Sequence, residues 1–287
     1  MRALGTLALL MLLLVQSACV NTSAQAPIKT ERQVGRQAEA QAARQTSPDA
    51  VAPNQGKVMV IGINGLISKN ALEKVRQSIG QASGDPIPAG LIVLLDSAGG
   101  DGVAAMQIGR LLRKANAHVF VAGQCASACI FVLASGVVRV APSYSVGIHR
   151  GRVTMSDANA KIIKEVDTTD NPAAKAALEH FEHQAPVYFA EMGMSPELFP
   201  LMQAHQLKGV YRLSSAEITK TQLSGFEKAY LAQRAAFYQS QTGPYRVDED
   251  EFKSRTQKVS SRCSGFDKQH TEFIKCYKET LREPFLN

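Results

Sequence analysis

The chain has 287 residues, a formal charge of +7, five cysteines and no tryptophan, a length that holds one large domain or two small ones at roughly 100–200 residues each. Hydrophobic residues at 45% and charged residues at 20% are ordinary globular values and exclude a disordered or collagenous chain. Only the very start lacks charge for long, which excludes a multispan membrane protein, and the cysteines are too sparse for a small disulfide scaffold.

Arg2 precedes the apolar run Leu7 to Val15, which ends in Ser17, Ala18 and Cys19. A positive start, a short apolar stretch and a small-residue exit describe a secretory signal over residues 1–19. The run falls short of the roughly 20 residues of a spanning helix, with a single N-terminal anchor as the alternative. Ser17-Ala18-Cys19 resembles a bacterial lipobox, although Gln16 stands where leucine is usual, and ordinary cleavage after Thr22-Ser23-Ala24 competes with it. Export to the periplasm or cell envelope is the expectation, with a lipid anchor to the membrane if Cys19 is the lipidated residue. Setting Cys19 aside leaves Cys125, Cys129, Cys263 and Cys276, an even number that permits two disulfides in an oxidising compartment.

Residues 20–56 are rich in Gln, Ala, Ser and Thr and carry too little apolar surface to offset their ordering entropy, the composition of a flexible tether. From Lys57 the pattern changes. Val58 to Ile61 reads as a strand, and Leu72, Val75 and Ile79 recur at helical spacing between Lys69 and Gln81. Leu91 to Leu95 has no polar alternation, as in a parallel strand covered on both faces. It runs into Asp96-Ser97-Ala98-Gly99-Gly100, and a helix with Ala104, Ile108, Leu111 and Leu112 on one face follows, its last turn carrying Arg113-Lys114. Val119 to Ala122 is a further buried strand, Ser127 to Leu133 a buried helix, and Val137–Val140 and Ser145–His149 are strands. Asn171 to Glu191 is a long helix, Ser195-Pro196-Glu197 starts another with proline at its first position, and Ser214 to Glu217 is a capping signal. This alternation predicts an α/β domain with a mostly parallel sheet over residues 57–226 and a helical tail over 227–287.

Three features carry chemistry. Gly99-Gly100 lets a backbone approach a ligand and leaves N–H groups at a helix start. Ser127, between Cys125 and Cys129, opens a buried helix, where a serine is either a plain cap or a hydroxyl beside converging amides. His149 ends a strand, at the side of an α/β sheet where ligands bind. Each alone has a structural explanation.

Together they resemble the Clp protease proteolytic subunit within the ClpP/crotonase superfamily, whose fold is a repeated ββα core. That family carries Ser-Pro-Gly-Gly, then a nucleophilic serine in a small-residue turn, then a histidine after the next strand pair. Ser97-Ala98-Gly99-Gly100, Ala126-Ser127-Ala128 and Ile148-His149 follow that order with similar spacing, and Leu133 to Gly136, Arg139 and Pro142 match the stretch between serine and histidine. The resemblance spans roughly residues 57–225. It implies Ser127 as nucleophile, His149 as general base, and the N–H groups of Gly100 and Ala128 as oxyanion hole, in a serine peptidase acting on peptide or protein substrates. It also implies self-assembly into a homo-oligomer.

Ala98 replaces the family's proline. The family's aspartate position falls on Met202 counted from Met194-Ser195-Pro196-Glu197, and on Gln206 counted back from Leu213. Three outcomes stay open: a Ser-His dyad, another acid such as Asp167 or Asp170, or a catalytically inactive peptide-binding or scaffold protein. A crotonase-type acyl-CoA enzyme is disfavoured by the Ser-His pair and the export signal.

The spacing of Cys125 and Cys129 is neither a redox Cys-x-x-Cys nor a zinc ribbon. They are either two buried small hydrophobes or a disulfide bracing the nucleophile turn. Cys263 and Cys276 close a loop that a bridge would stabilise by about 3 kcal/mol. His180 and His183 read as a solvated helix face rather than a metal site, and no cofactor is implied. The positive charge is dispersed, without the basic blocks of a nucleic-acid binder.

Overall fold

The computed structural model describes residues 58–82, 90–156, 162–205, 209–239, 248–263 and 269–281. The signal segment 1–19 with Cys19, the tether 20–56 and Gln206 lie outside them.

The elements run in chain order as β1 (Val58–Ile67), α1 (Lys69–Ala82), β2 (Gly90–Gly100), α2 (Gly102–Lys114), β3 (His118–Ala126), α3 (Cys129–Ser135), β4 (Val138–Val140) and β5 (Val146–Ile148). A hairpin of β6 (Thr154–Ser156) and β7 (Ile162–Glu165) leads to α4 (Pro172–Glu191) and α5 (Leu198–Ala204). Then come β8 (Tyr211–Arg212), α6 (Ser215–Lys220), β9 (Gly225–Phe226), α7 (Lys228–Gln239), α8 (Glu249–Arg262) and α9 (His270–Leu281). This is the expected α/β class. A seven-stranded sheet is ordered β1-β2-β3-β4-β9, parallel from β1 to β4, with the short β9 antiparallel at the edge.

The third strand forks. Its first residues, His118 to Phe120, pair with β4, while Cys125 and Ala126 at its far end pair with β5, which in turn pairs antiparallel with β8. The fork brings the ends of β2, β3 and β5 side by side, and with them the glycine pair, the serine and the histidine.

Side chains alternate across a strand, so β2 buries two sets. Leu91, Val93 and Leu95 face one core with Ile108 and Leu112 of α2, Cys129 to Ala134 of α3, and Tyr188 and Phe189 of α4. Ile92 and Leu94 face a second core with Phe120, Val138 and Val140, covered by Tyr230, Val259, Phe273, Tyr277 and Leu281 of the tail helices. Double burial explains the uninterrupted apolar run. The tail is therefore a full layer of the fold, and Cys263 and Cys276 are bridged between α8 and α9 with Cα atoms 5.8 Å apart. Within this layer His118 is 5% exposed, its Nδ1 bonded to the Tyr277 hydroxyl and its Nε2 2.6 Å from that of Tyr230.

Two expected helix starts move. The buried helix opens at Cys129, with Ala128 as its cap residue, because Ser127 has φ +55 and cannot be helical. The helix expected at Ser195 opens at Leu198, so Pro196 precedes it rather than occupying its first position. The capping box at Ser214 is present, with the Glu217 carboxylate returning to the Ser214 N–H at 2.8 Å.

Candidate active site

The serine turn is held from three sides. The Cys125 N–H donates to Ser145 O and the Ser127 N–H to Gly147 O, both at 2.9 Å, which ties the turn to β5. The Ser127 carbonyl accepts from the Ile130 N–H at 3.1 Å, the first turn of α3. Between them Ser127 takes the left-handed φ of +55, a conformation costing an L-residue roughly 1–2 kcal/mol. Cys125 and Cys129 are bridged across it, Cα atoms 5.2 Å apart and both side chains fully buried. Ser127 is accordingly not a helix cap. It stands half-buried at the tip of a strained strand-to-helix corner.

The far end of α3 is anchored as well. The Arg113 guanidinium donates to the Ser135 carbonyl at 2.7 Å and the Ala134 carbonyl at 3.1 Å, a cation placed on the negative helix end. The Tyr188 hydroxyl donates to the Phe131 carbonyl at 2.7 Å.

Gly99 and Gly100, at φ +110 and +142, continue β2 to its end. A Cβ on Gly99 would lie 2.5 Å from Ser127 Cβ and 3.0 Å from the Ala128 nitrogen, and one on Gly100 would lie 2.1 Å from the Ile67 carbonyl oxygen. Only glycine permits both the positive φ and the close approach. The Ser97 hydroxyl, 1% exposed, donates to the Gly65 carbonyl and accepts from the Gly99 N–H at 3.1 Å, holding the run in place. Asp101 then caps α2 through the N–H groups of Val103 (2.9 Å) and Ala104 (3.0 Å).

Ser127, Ala128, Gly100 and His149 line one cleft. The His149 Nδ1–H donates to the Arg150 carbonyl at 2.6 Å. Burial pushes its pKa below the usual histidine value, and the Arg152 charge pushes the same way. The bond to the Arg150 carbonyl and the Glu165 charge act in the opposite direction. Asp167 and Asp170 are exposed and are not among the residues lining the cleft. The Asp167 carboxylate accepts from the Thr169 N–H (2.8 Å) and hydroxyl (2.6 Å), which hold its pKa down. His180 and His183 lie exposed on α4.

The cleft has parts without a sequence motif. Phe131, Phe181 and Met202 give it an apolar side, Arg152 a cation, and Gly102 and Gly151 open its rim. Phe181 packs edge-on against Phe131 with ring centres 5.6 Å apart, and a Cβ on Gly102 would lie 2.4 Å from the Phe181 ring. The glycine two residues past His149 and the one after the helix cap Asp101 are the only sequence signs of this wall.

No protein-family model matches the chain, and no curated protein matches it in sequence. Among solved structures it is similar to an Asn-to-Asp variant of ClpP1 from Listeria monocytogenes, at 16% identity and a TM-score of 0.44, over 57% of this chain and 88% of that one. It is also similar to a serine-to-alanine variant of a membrane-bound stomatin-specific protease, at 17% identity and a TM-score of 0.44, over 63% of this chain and 85% of that one.

Proposed function

We propose that this chain is an exported ClpP-like serine hydrolase, a peptidase in which Ser127 is the nucleophile and His149 the general base. The observation that carries the reading is a left-handed serine corner with Gly99 packed on it, sharing one cleft with Gly100 and a half-buried histidine. A serine hydroxyl becomes a competent nucleophile when an adjacent base takes its proton. As the Ser127 Oγ–carbon bond forms, the hydroxyl proton passes to His149 Nε2 and the carbonyl electron pair moves onto oxygen. The N–H groups of Gly100 and Ala128 are the donors for that oxyanion; removing one such donor typically costs about 10²–10³ in rate. Collapse breaks the C–N bond, His149 returns the proton to the leaving amine, and water releases the acyl group by the same steps. The apolar side formed by Phe131, Phe181 and Met202 suits a substrate with an apolar side chain beside the scissile bond.

Export to the periplasm or envelope is part of the proposal and is supported by the two bridges, which persist in oxidising compartments. A lipid anchor at Cys19 and a homo-oligomer complete the reading. The second reading is a catalytically inactive peptide-binding or scaffold protein, favoured by the absence, among the described residues, of a carboxylate on His149 Nδ1. Labelling with a fluorophosphonate probe separates the two. The hydrolase predicts labelling of the folded protein that Ser127→Ala abolishes and His149→Ala reduces by two or more orders of magnitude. No Ser127-dependent labelling of folded protein would leave only the scaffold.

A further inference from the structure

We propose that the third member of this site is the main-chain carbonyl of Arg150, which fixes the His149 tautomer and so makes Nε2 the atom that accepts the Ser127 proton. The proposal rests on the hydrolase reading and assigns the role its motif leaves vacant. A carbonyl oxygen can only accept, so the 2.6 Å contact places the proton on Nδ1. In the neutral ring the other nitrogen then carries the lone pair. This is the orienting half of what a triad carboxylate does. The other half, a carboxylate bonded to the ring, is supplied by none of the described residues.

The residue that carries this carbonyl is fixed through its own main-chain N–H. The Arg150 N–H donates to the His205 carbonyl at 3.3 Å, and the His205 ring stacks on Tyr211 with centres 3.9 Å apart and planes 9° apart. Tyr211 belongs to β8, which pairs with β5 through Ile148, the residue before His149. Its hydroxyl donates at 2.8 Å to Glu217, the capping-box acid of α6. The peptide after His149 is thus clamped between two short strands and the end of α5.

Charged groups around the histidine are engaged in pairs of their own. Arg152 lies 3.6 Å from Glu165, and Arg150 lies 3.9 Å from Glu182, which also accepts from Gln203 at 3.1 Å. Met202, at one of the two positions that match the family's acid, lines the cleft with an apolar side chain instead. A site built this way keeps orientation and tautomer while lacking the acid's charge.

Nitrogen-15 NMR of the His149 ring in the Ser127→Ala protein tests the proposal without needing turnover. The expected spectrum has a protonated Nδ1 and an unprotonated Nε2 at neutral pH; an Nε2–H tautomer overturns the assignment. In parallel, Asp167→Asn, Asp170→Asn, Glu165→Gln and Glu182→Gln are labelled with fluorophosphonate at alkaline pH, above the histidine's titration. Each is expected to stay within about threefold of wild type, whereas losing a true triad acid costs about 10⁴. A hundredfold or greater loss in any one of them, with the fold intact, also overturns it. If no protein labels at all, the hydrolase reading fails, and the ring tautomer still decides whether the carbonyl holds His149.

Discussion

The bridge across the serine corner invites the most direct test. Replacing Cys125 and Cys129 together by alanine opens a ring of chain whose closing residues are four apart in sequence. In the chain-entropy description a loop of that size is worth about 2 kcal/mol. The left-handed φ of Ser127 costs an amount of the same order, about 1–2 kcal/mol, so the bridge and the strain nearly cancel. Without the bridge, the corner is held by the Ser127 N–H on Gly147 and the Ile130 N–H on Ser127, single bonds worth about 1 kcal/mol each. The double variant is expected to lose about 2 kcal/mol in guanidinium unfolding without reductant. Part of the native population should relax the serine out of its left-handed well, lowering the fluorophosphonate labelling rate by about tenfold, the equivalent of 1.4 kcal/mol. Both sulfurs are fully buried, so substitution is a cleaner perturbation than reduction. An unchanged midpoint together with an unchanged labelling rate would refute the view that the bridge sets the nucleophile.

Three further outcomes are expected. His118 is buried neutral and its pKa is pushed down to about 3 by burial, with the Arg234 charge adding to it. The unfolded chain therefore takes up a proton near pH 6.5 that the folded chain refuses, and stability present above that pH falls by about 1 kcal/mol per unit as pH drops toward 3; His118→Asn should flatten that slope in denaturation curves. Gly109→Ala would place a methyl 1.8 Å from the Tyr188 hydroxyl and 3.1 Å from the Phe131 carbonyl, displacing the bond between them. A loss of about 1–3 kcal/mol in stability is expected, and a variant as stable as wild type would show that α2 and α4 can part there at no cost. Arg152 lowers and Glu165 raises the His149 pKa, so the acidic limb of the labelling rate against pH should move up in Arg152→Gln and down in Glu165→Gln; shifts in the same direction would contradict the electrostatic assignment.

Much of this architecture is legible from residues alone, because it rests on side-chain pattern. The uninterrupted Leu91 to Leu95 run requires two covered faces, and both are present. Ser127, His149 and the glycine pair occur in an order that a fork in the sheet converts into proximity. What escaped the pattern is what side chains do not encode. The positive φ of Ser127 is a backbone property, so its helix was expected two residues too early. The partner of His149 Nδ1 is a peptide carbonyl, which has no residue identity, whereas the carboxylates that the sequence offers, Asp167 and Asp170, stand exposed away from the cleft. Phe181 and Met202 reach the cleft from two separate helices, and neither helix shows a motif. The tail's role was hidden by dilution: Tyr230, Val259, Phe273 and Tyr277 are spread among charged residues and form a surface only when three helices pack together. The bridge between Cys263 and Cys276 was expected, but its location over the sheet's second face was not.

That second face carries a consequence for how the chain is made. Phe120 and His118 leave the ribosome long before their cover, since His118 and Tyr277 lie 159 residues apart. At roughly 5–20 residues per second, the strands wait on the order of ten to thirty seconds with Ile92, Leu94 and Phe120 uncovered. The first core, whose buried residues run from Ile61 to Leu223, is complete in the chain before α8 and α9 emerge. The second lacks its cover until the last helices arrive, so a chain truncated before α9 would fold with an apolar wall bare.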